Sequence, residues 1–104
     1  MEYSPLPLSV RKRGFDFVQI KRGKKACVYS GASDGEILKY ETFLIKRHDG
    51  RKFGDTEVAP AEYFPNDENF GLWAWCYGVA TGGKEAAILK FNNIENEGIM
   101  NEIL

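Results

Sequence analysis

The stretch Ala61–Gly78, AEYFPNDENFGLWAWCYG, contains both tryptophans of the chain and four other aromatic residues. Within it, Gly71–Val79 fits two patterns: rings recur at helical spacing, and Trp73, Trp75 and Tyr77 also alternate as on a strand. A helix here would be apolar all round, whereas a strand would place the three large rings on one face and small residues on the other. The strand is the favoured interpretation, and it makes this stretch the predicted core anchor.

Strand patterns also precede the anchor. Gly14–Ile20 and Ala26–Ser30 are rich in β-forming residues, and the basic turn Lys21–Lys25 between them predicts a hairpin. Gly31–Glu36 has the composition of a loop. The next segment, Ile37–His48 (ILKYETFLIKRH), is the longest strand candidate in the sequence.

Asp49-Gly50 is the strongest local turn signal. A type I′ turn needs positive φ at two consecutive residues, and Asp-Gly tolerates this well. We therefore expect a second hairpin, whose return strand begins at Arg51, is interrupted at Gly54-Asp55 and resumes at Thr56–Val58.

A helix is predicted from about Lys84 to Glu95, opened by Thr81–Gly83 and ended by Gly98. The residues expected on its buried face are Ala87, Ile88, Phe91 and Ile94. Together these elements predict an α+β fold, an antiparallel meander sheet of four to five strands with one C-terminal helix packed on a face.

The chain has 104 residues, of which 43% are hydrophobic and 28% charged, and this predicts one globular domain over residues 1–104. Residues 1–13 are expected to form an extended arm and residues 99–104 an apolar tail.

No apolar run is long enough to span a bilayer and no secretory signal pattern begins the sequence, so a cytoplasmic protein without membrane contact is expected. Cys27 and Cys76 are predicted to be small core residues.

Charge is unevenly distributed along the chain. Residues 1–52 carry twelve Lys and Arg against six acids, a net of +6, and residues 53–104 carry two against nine, a net of −7. In a meander, the basic turns Lys21–Lys25 and Lys46–Lys52 would lie at the same end of the sheet, with the acidic loop around Asp34 at the other. Such asymmetry indicates a charged partner, or two halves that neutralise each other.

Three segments carry a resemblance: Tyr40–Ile45, Glu62–Gly71 and Trp73–Tyr77, followed by a closing helix around Ala87 and Phe91. Their order and spacing resemble small uncharacterised proteins of bacterial phages, prophages and mobile elements, over residues 37–95. The resemblance implies an accessory protein and brings no known activity and no catalytic residues.

The first functional hypothesis is a protein-interaction or assembly module, which binds a protein partner or a second copy of the chain. Its candidate interface residues are Ile99, Met100, Ile103 and Leu104. The alternative is a nucleic-acid-binding module in which a ring of Phe15, Phe17 or Tyr29 stacks on a base. Its candidate contacts to phosphates, or to an acidic partner, are Lys21, Arg22, Lys24, Lys25, Lys46, Arg47, Arg51 and Lys52.

Catalysis has little support in the sequence. His48 is the only histidine and flanks a predicted turn, and nothing brings it to Cys76 as a nucleophile's base. Thr81–Lys84 lacks the spacing of a phosphate loop, and one histidine with two distant cysteines does not make a zinc site. We therefore expect no enzyme activity, no cofactor, no metal and no small-molecule substrate.

Overall fold

The structure, a computed structural model, describes residues 2–103, and the side chains among them except those of Thr81 and residues 98–103. Its main sheet has five antiparallel strands in the order β1-β2-β3-β4-β9. Their bounds are β1 (Ser9–Lys12), β2 (Phe15–Arg22), β3 (Ala26–Ser33), β4 (Glu36–Leu44) and β9 (Ala74–Gly78). One helix, α1 (Gly83–Ile103), packs on β3, β4 and β9. The predicted α+β fold is confirmed.

The segment between β4 and β9 contains two small antiparallel pairs. The outer pair joins β5 (Lys46–His48) to β8 (Ala61–Tyr63), and the inner pair joins β6 (Arg51–Phe53) to β7 (Thr56–Val58). The predicted hairpin across Asp49-Gly50 is therefore wrong, since β5 pairs with β8. Only Gly50 of that dipeptide has positive φ, at 94°, and a type I′ turn requires two such residues.

Two other dipeptides provide turns with positive φ at both residues. Arg13 and Gly14 have φ of 53° and 82° between β1 and β2. Asp34 and Gly35 have φ of 52° and 81° between β3 and β4. Both match type I′ geometry, which follows the right-handed twist of the flanking strands. The segment read as a loop, Gly31–Glu36, is thus mostly strand around a tight turn.

The long strand predicted over Ile37–His48 is divided at Ile45. β4 ends at Leu44, and the Ile45 N–H donates to the Lys25 carbonyl at 2.8 Å, while β5 joins the second sheet. At the N-terminal end, the expected arm supplies β1. The arm also touches the second sheet, because Ser4 and Glu62 share a backbone hydrogen bond of 2.9 Å.

The anchor contains a strand, β9, and the helical alternative is excluded for Ala74–Gly78. Trp75 and Tyr77 face the helix as expected for alternating residues. Trp73 does not share their face, because it lies in the turn before β9, and its ring contacts Phe43 on the opposite side at 6.5 Å between centroids.

Helix α1 buries Ala87, Phe91 and Ile94 against the sheet, as predicted. The hydroxyl of Thr42 in β4 donates to the Ala87 carbonyl at 2.8 Å, which fixes the helix on the strand below. The predicted end at Gly98 is wrong, since helical backbone continues to Ile103. A helix interior tolerates glycine at a cost of about 1 kcal/mol, and no proline follows it here.

The tail residues of the interaction hypothesis lie outside the described side chains. Ile99, Met100 and Ile103 have described helical backbone only, and Leu104 lies outside the described residues altogether.

The two faces of the main sheet build separate cores. The helix face buries Ala26 and Val28 beneath Phe91 and Ile94. The opposite face is covered by residues of the arm and of the segment between β4 and β9, and its buried members are Leu6, Phe17, Cys27, Tyr29, Phe43 and Ala74. Cys27 is a core residue as predicted, but Cys76 is exposed on β9, and both are free thiols.

Candidate binding site at the β1 edge

Strand β1 is one of the two edges of the main sheet. The Gln19 N–H donates to the Leu8 carbonyl at 2.8 Å, so the hydrogen-bonded pairs toward β2 fall at alternate residues: Leu8, Val10 and Lys12. The backbone groups of Ser9 and Arg11 therefore point away from the sheet. Among residues 2–103, no backbone hydrogen bond from a turn or loop reaches Ser9 or Arg11.

The edge strand is strongly basic. Residues 9–13 carry three cations and no acid. Arg11 pairs with Asp16 at 2.9 Å, but both side chains are more than half exposed, and Arg13 pairs with the exposed Asp67. Exposed pairs of this kind contribute about 0–1 kcal/mol, so a competing carboxylate can replace them at little cost.

A cavity of about 250 Å³ opens beside this edge, on the sheet face opposite the helix. Its floor is formed by rings from β2, β3 and β4, and one wall by the segment that precedes β9. The residues that line it are Lys12, Arg13, Phe15, Phe17, Tyr29, Lys39, Glu41, Phe43, Phe64, Pro65, Asp67 and Phe70.

Two lysines bring positive charge into this aromatic cavity. The Lys12 Nζ lies 4.5 Å from the centroid of the Phe64 ring, and the Lys39 Nζ lies 4.3 Å from that of Phe15. Lys39 also pairs with Glu41 at 3.1 Å. Burial lowers the pKa of Lys12, and the nearby Arg13 lowers it further. The cavity is thus apolar, partly desolvated and cationic.

Local backbone features shape the cavity. Gly31 of β3 lies between Phe17 and Lys39, and a Cβ placed there would come within 3.1 Å of an atom of each. The glycine therefore allows the ring and the lysine stem to approach each other over the strand. The Tyr29 hydroxyl donates to the Pro7 carbonyl at 2.6 Å, which ties the arm to the cavity floor.

The predicted basic contacts do not form a single exposed cluster. Arg22 donates two hydrogen bonds of 2.7 Å to the buried Glu62, and Arg47 approaches the same carboxylate at 3.5 Å. Lys21 lies over the Phe91 ring and Lys46 over the Trp73 ring. Four of the eight residues therefore have intramolecular partners.

The β2–β3 turn, which contributes two more of these residues, binds a carboxylate of the chain itself. Glu95 of α1 accepts the backbone N–H groups of Lys24, Lys25 and Ala26 at 2.7 to 2.9 Å. Burial raises the pKa of Glu95, but these three donors and the Lys25 charge outweigh it, so that the pKa lies below its usual value.

The last two predicted contacts, Arg51 and Lys52, lie on the exposed β6–β7 hairpin. Of the rings proposed for stacking, Phe15, Phe17 and Tyr29 all line the cavity, and Tyr29 is fully buried in its floor. The rings are therefore brought together, but the cations beside them are Lys12, Arg13 and Lys39.

Lys12, Arg13 and Lys39 were absent from the predicted site. The alternation Lys39-Glu41-Phe43 along β4 could have placed this lysine on the same face as the core rings. The position of Lys12 and Arg13 depended on the Arg13-Gly14 turn, for which the sequence offers a weaker signal than Asn-Gly or Asp-Gly.

The residues weighed for catalysis are separated. The Nδ1 of His48 in β5 accepts the Gly50 N–H at 3.2 Å, while Cys76 lies in β9 opposite Glu41. Across the described residues, no group of three or more His, Cys, Asp or Glu is placed to hold a metal ion. Within residues 2–103, no helix has the length and apolar character needed to span a membrane.

Comparisons with protein-family models, with curated proteins and with solved structures give no significant match.

Proposed function

We propose that the protein is a non-enzymatic protein-interaction module that receives an extended, acidic segment of a partner protein along β1. The observation that supports this most directly is the outward direction of the Ser9 and Arg11 backbone groups on a basic edge strand. A partner strand would pair with these groups through main-chain hydrogen bonds, as in recognition by β-strand addition. The resemblance over residues 37–95 supports an accessory role in a bacterial phage or mobile element.

Charge favours an acidic partner over a second copy of the chain. Pairing β1 with β1 of another copy would bring the cations of Arg11, Lys12 and Arg13 against one another. Like charges opposite each other in a sheet are destabilising, and charged edges are a common defence against such self-pairing. A strand with carboxylates would instead meet opposite charge at Arg11, Lys12 and Arg13.

The other edge of the sheet is less suited to this role. In strand β9 the outward carbonyl of Ala74 already accepts the Gly71 N–H at 2.7 Å. A 3-10 turn, Val79–Thr81, follows the strand directly. These features shorten the accessible part of β9, so β1 is the favoured docking edge.

The test is a fluorescence-anisotropy titration of the full chain with a labelled, capped hexapeptide of alternating glutamate and valine. We expect binding that weakens with added salt and is lost in Ser9→Pro, which removes one outward N–H. Proline is tolerated on the solvent side of an edge strand, so the sheet should persist. Arg11→Glu should weaken binding about tenfold, the effect of about 1.4 kcal/mol.

Cys76→Pro is the matched control, because it removes an outward N–H from the other edge strand. It should bind the peptide like the unsubstituted chain, and thermal unfolding of each variant establishes that the fold is retained. Equal binding of a lysine-valine peptide, or unchanged binding by the folded Ser9→Pro variant, would contradict the proposal.

A further inference from the structure

We propose that the aromatic cavity beside β1 is a binding site for a nucleotide unit, a heteroaromatic ring that carries a phosphate. The cavity, of about 250 Å³, is lined by aromatic rings and by three cations against two carboxylates, namely Lys12, Arg13 and Lys39 with Glu41 and Asp67. This site is separate from the backbone groups of the edge strand, so the inference does not depend on the proposed function.

The charged groups of the cavity favour a ligand of negative charge. Aromatic cages usually bind cations, but Lys12 and Lys39 already occupy the faces of Phe64 and Phe15. A cationic ligand would be repelled by both ammonium groups. A purely apolar ligand would bury the Lys12 charge further and add no counterion to the nearby Glu41, which is unfavourable. An anion avoids both penalties, since it pairs with the lysine that burial destabilises.

The rings and the carboxylate select the shape and the polarity of the ligand. Phe15 and Phe17 are tilted by 44° with centroids 6.1 Å apart, and Lys39 lies over both rings, so a third ring would contact their edges. Glu41 is buried and faces the cavity, so a ring with an N–H donor can satisfy its second oxygen. A base provides both the ring and the donor.

The anionic group would lie at the mouth. Arg13 reaches the rim from the β1–β2 turn and pairs there with the exposed Asp67. Lys12 lies on the same side, so the two cations can bind one phosphate through charge-assisted hydrogen bonds. The same chemistry is presented by a free mononucleotide and by one unit of a single-stranded nucleic acid.

The experiment is a set of calorimetric titrations of the full chain with adenosine monophosphate, uridine monophosphate, an eight-nucleotide single-stranded DNA, and octanoate. Lys12→Met keeps the apolar stem and removes the charge, and Lys24→Met makes the same change on the exposed β2–β3 turn. We expect a nucleotide to bind with a dissociation constant that rises about tenfold in Lys12→Met and is unchanged in Lys24→Met. Thermal unfolding of both variants controls for folding.

Each titration distinguishes one possible ligand from another. Binding of a monophosphate alone identifies a free nucleotide as the source, and tighter binding of the oligonucleotide identifies a strand. Octanoate binding as tightly as the nucleotides would overturn the inference in favour of an aliphatic anion. Absence of nucleotide binding, or binding unaffected by Lys12→Met, would also overturn it. Ser9→Pro should leave nucleotide binding intact, so this site and the peptide site fail independently.

Discussion

Glu62 connects three parts of the chain through one buried carboxylate. It accepts the Leu6 N–H of the arm at 2.9 Å and two bonds from Arg22 of β2, while Arg47 of β5 lies 3.5 Å away. The Arg22 hydrogen bonds lower the pKa of Glu62, and the Leu6 N–H adds to this effect against the cost of burial. A single acid thus holds the arm and the second sheet on the main sheet.

We expect Glu62→Gln to reduce the free energy of unfolding by about 2 kcal/mol at pH 7, because Arg22 loses its charged acceptor. A carboxylate whose folded pKa is lowered contributes stability above its unfolded pKa, and this contribution is lost as pH falls through the folded value. The difference between the two proteins should therefore shrink below about pH 4.5, near the ordinary pKa of glutamate. Urea unfolding from pH 3 to 7 measures it, and a difference that does not change with pH would be the contrary result.

Gly23 is required by the contact of Glu95 with the β2–β3 turn. A Cβ at Gly23 would lie 2.4 Å from the Glu95 carboxyl carbon. We expect Gly23→Ala to destabilise the protein by about 1–3 kcal/mol, because the carboxylate must leave its three N–H donors. In a Glu95→Ala background the same change should cost less than about 0.5 kcal/mol, and a double-mutant cycle measures the coupling. Additive effects of the two substitutions would mean that the cost of Gly23→Ala does not arise from its contact with Glu95.

At the scale of the elements, the two Asp-Gly dipeptides show what local sequence can predict. Asp34-Gly35 forms the type I′ turn that the dipeptide favours, because β3 and β4 are long and pair directly. Asp49-Gly50 does not, because β5 finds its partner at β8. The sequence pattern that favours a hairpin involves only neighbouring residues. The partner of a strand is chosen by distant residues, here those that cover the face of the sheet on which Phe43 lies.

The anchor was predictable as a strand but not in full detail. Alternation correctly places Trp75 and Tyr77 on one face of β9. The prediction is wrong for Trp73, because the Trp73 N–H donates to the Asn69 carbonyl at 3.1 Å. Trp73 therefore belongs to the turn that follows the 3-10 segment Asp67–Asn69. The period-two rule applies only inside a strand, and the start of a strand is what sequence locates least well.

We expect helix α1 to contribute to the stability of the fold through its buried face and not through its exposed face. Phe91→Ala is expected to reduce the free energy of unfolding by about 3–5 kcal/mol, since the ring is 5% exposed and packs with Ala26 and Val28. Leu89→Ala on the same helix should change it by less than about 0.5 kcal/mol, because Leu89 is 63% exposed. Chemical denaturation of the two variants tests this, and a comparable loss in Leu89→Ala would indicate that a partner covers the outer face of α1.

At the scale of the whole molecule, the sequence predicts the fold class well and the binding site only in part. Sequence patterns are enough to identify the helix and strands β2, β3, β4 and β9, but β1 was expected only as part of an extended arm. Three rings of the cavity, Phe15, Phe17 and Tyr29, were also identified, but the cations beside them were not, because the Arg13-Gly14 turn and the pairing of Arg22 with Glu62 depend on tertiary contacts. Of the predicted basic contacts, Arg22 and Arg47 pair with Glu62 within the fold, whereas Lys12, Arg13 and Lys39, which were not among the predicted contacts, line the cavity.

Amide hydrogen exchange of the full chain, measured residue by residue without and with a saturating concentration of the glutamate-valine peptide, tests strand addition at β1 most directly. We expect Ser9 and Arg11 to exchange rapidly in the unliganded protein, Val10 and Lys12 to be protected, and the peptide to protect all four. Rapid exchange of Ser9 and Arg11 at saturation would contradict strand addition at β1. Protection of both before any peptide is added would contradict the existence of an open edge.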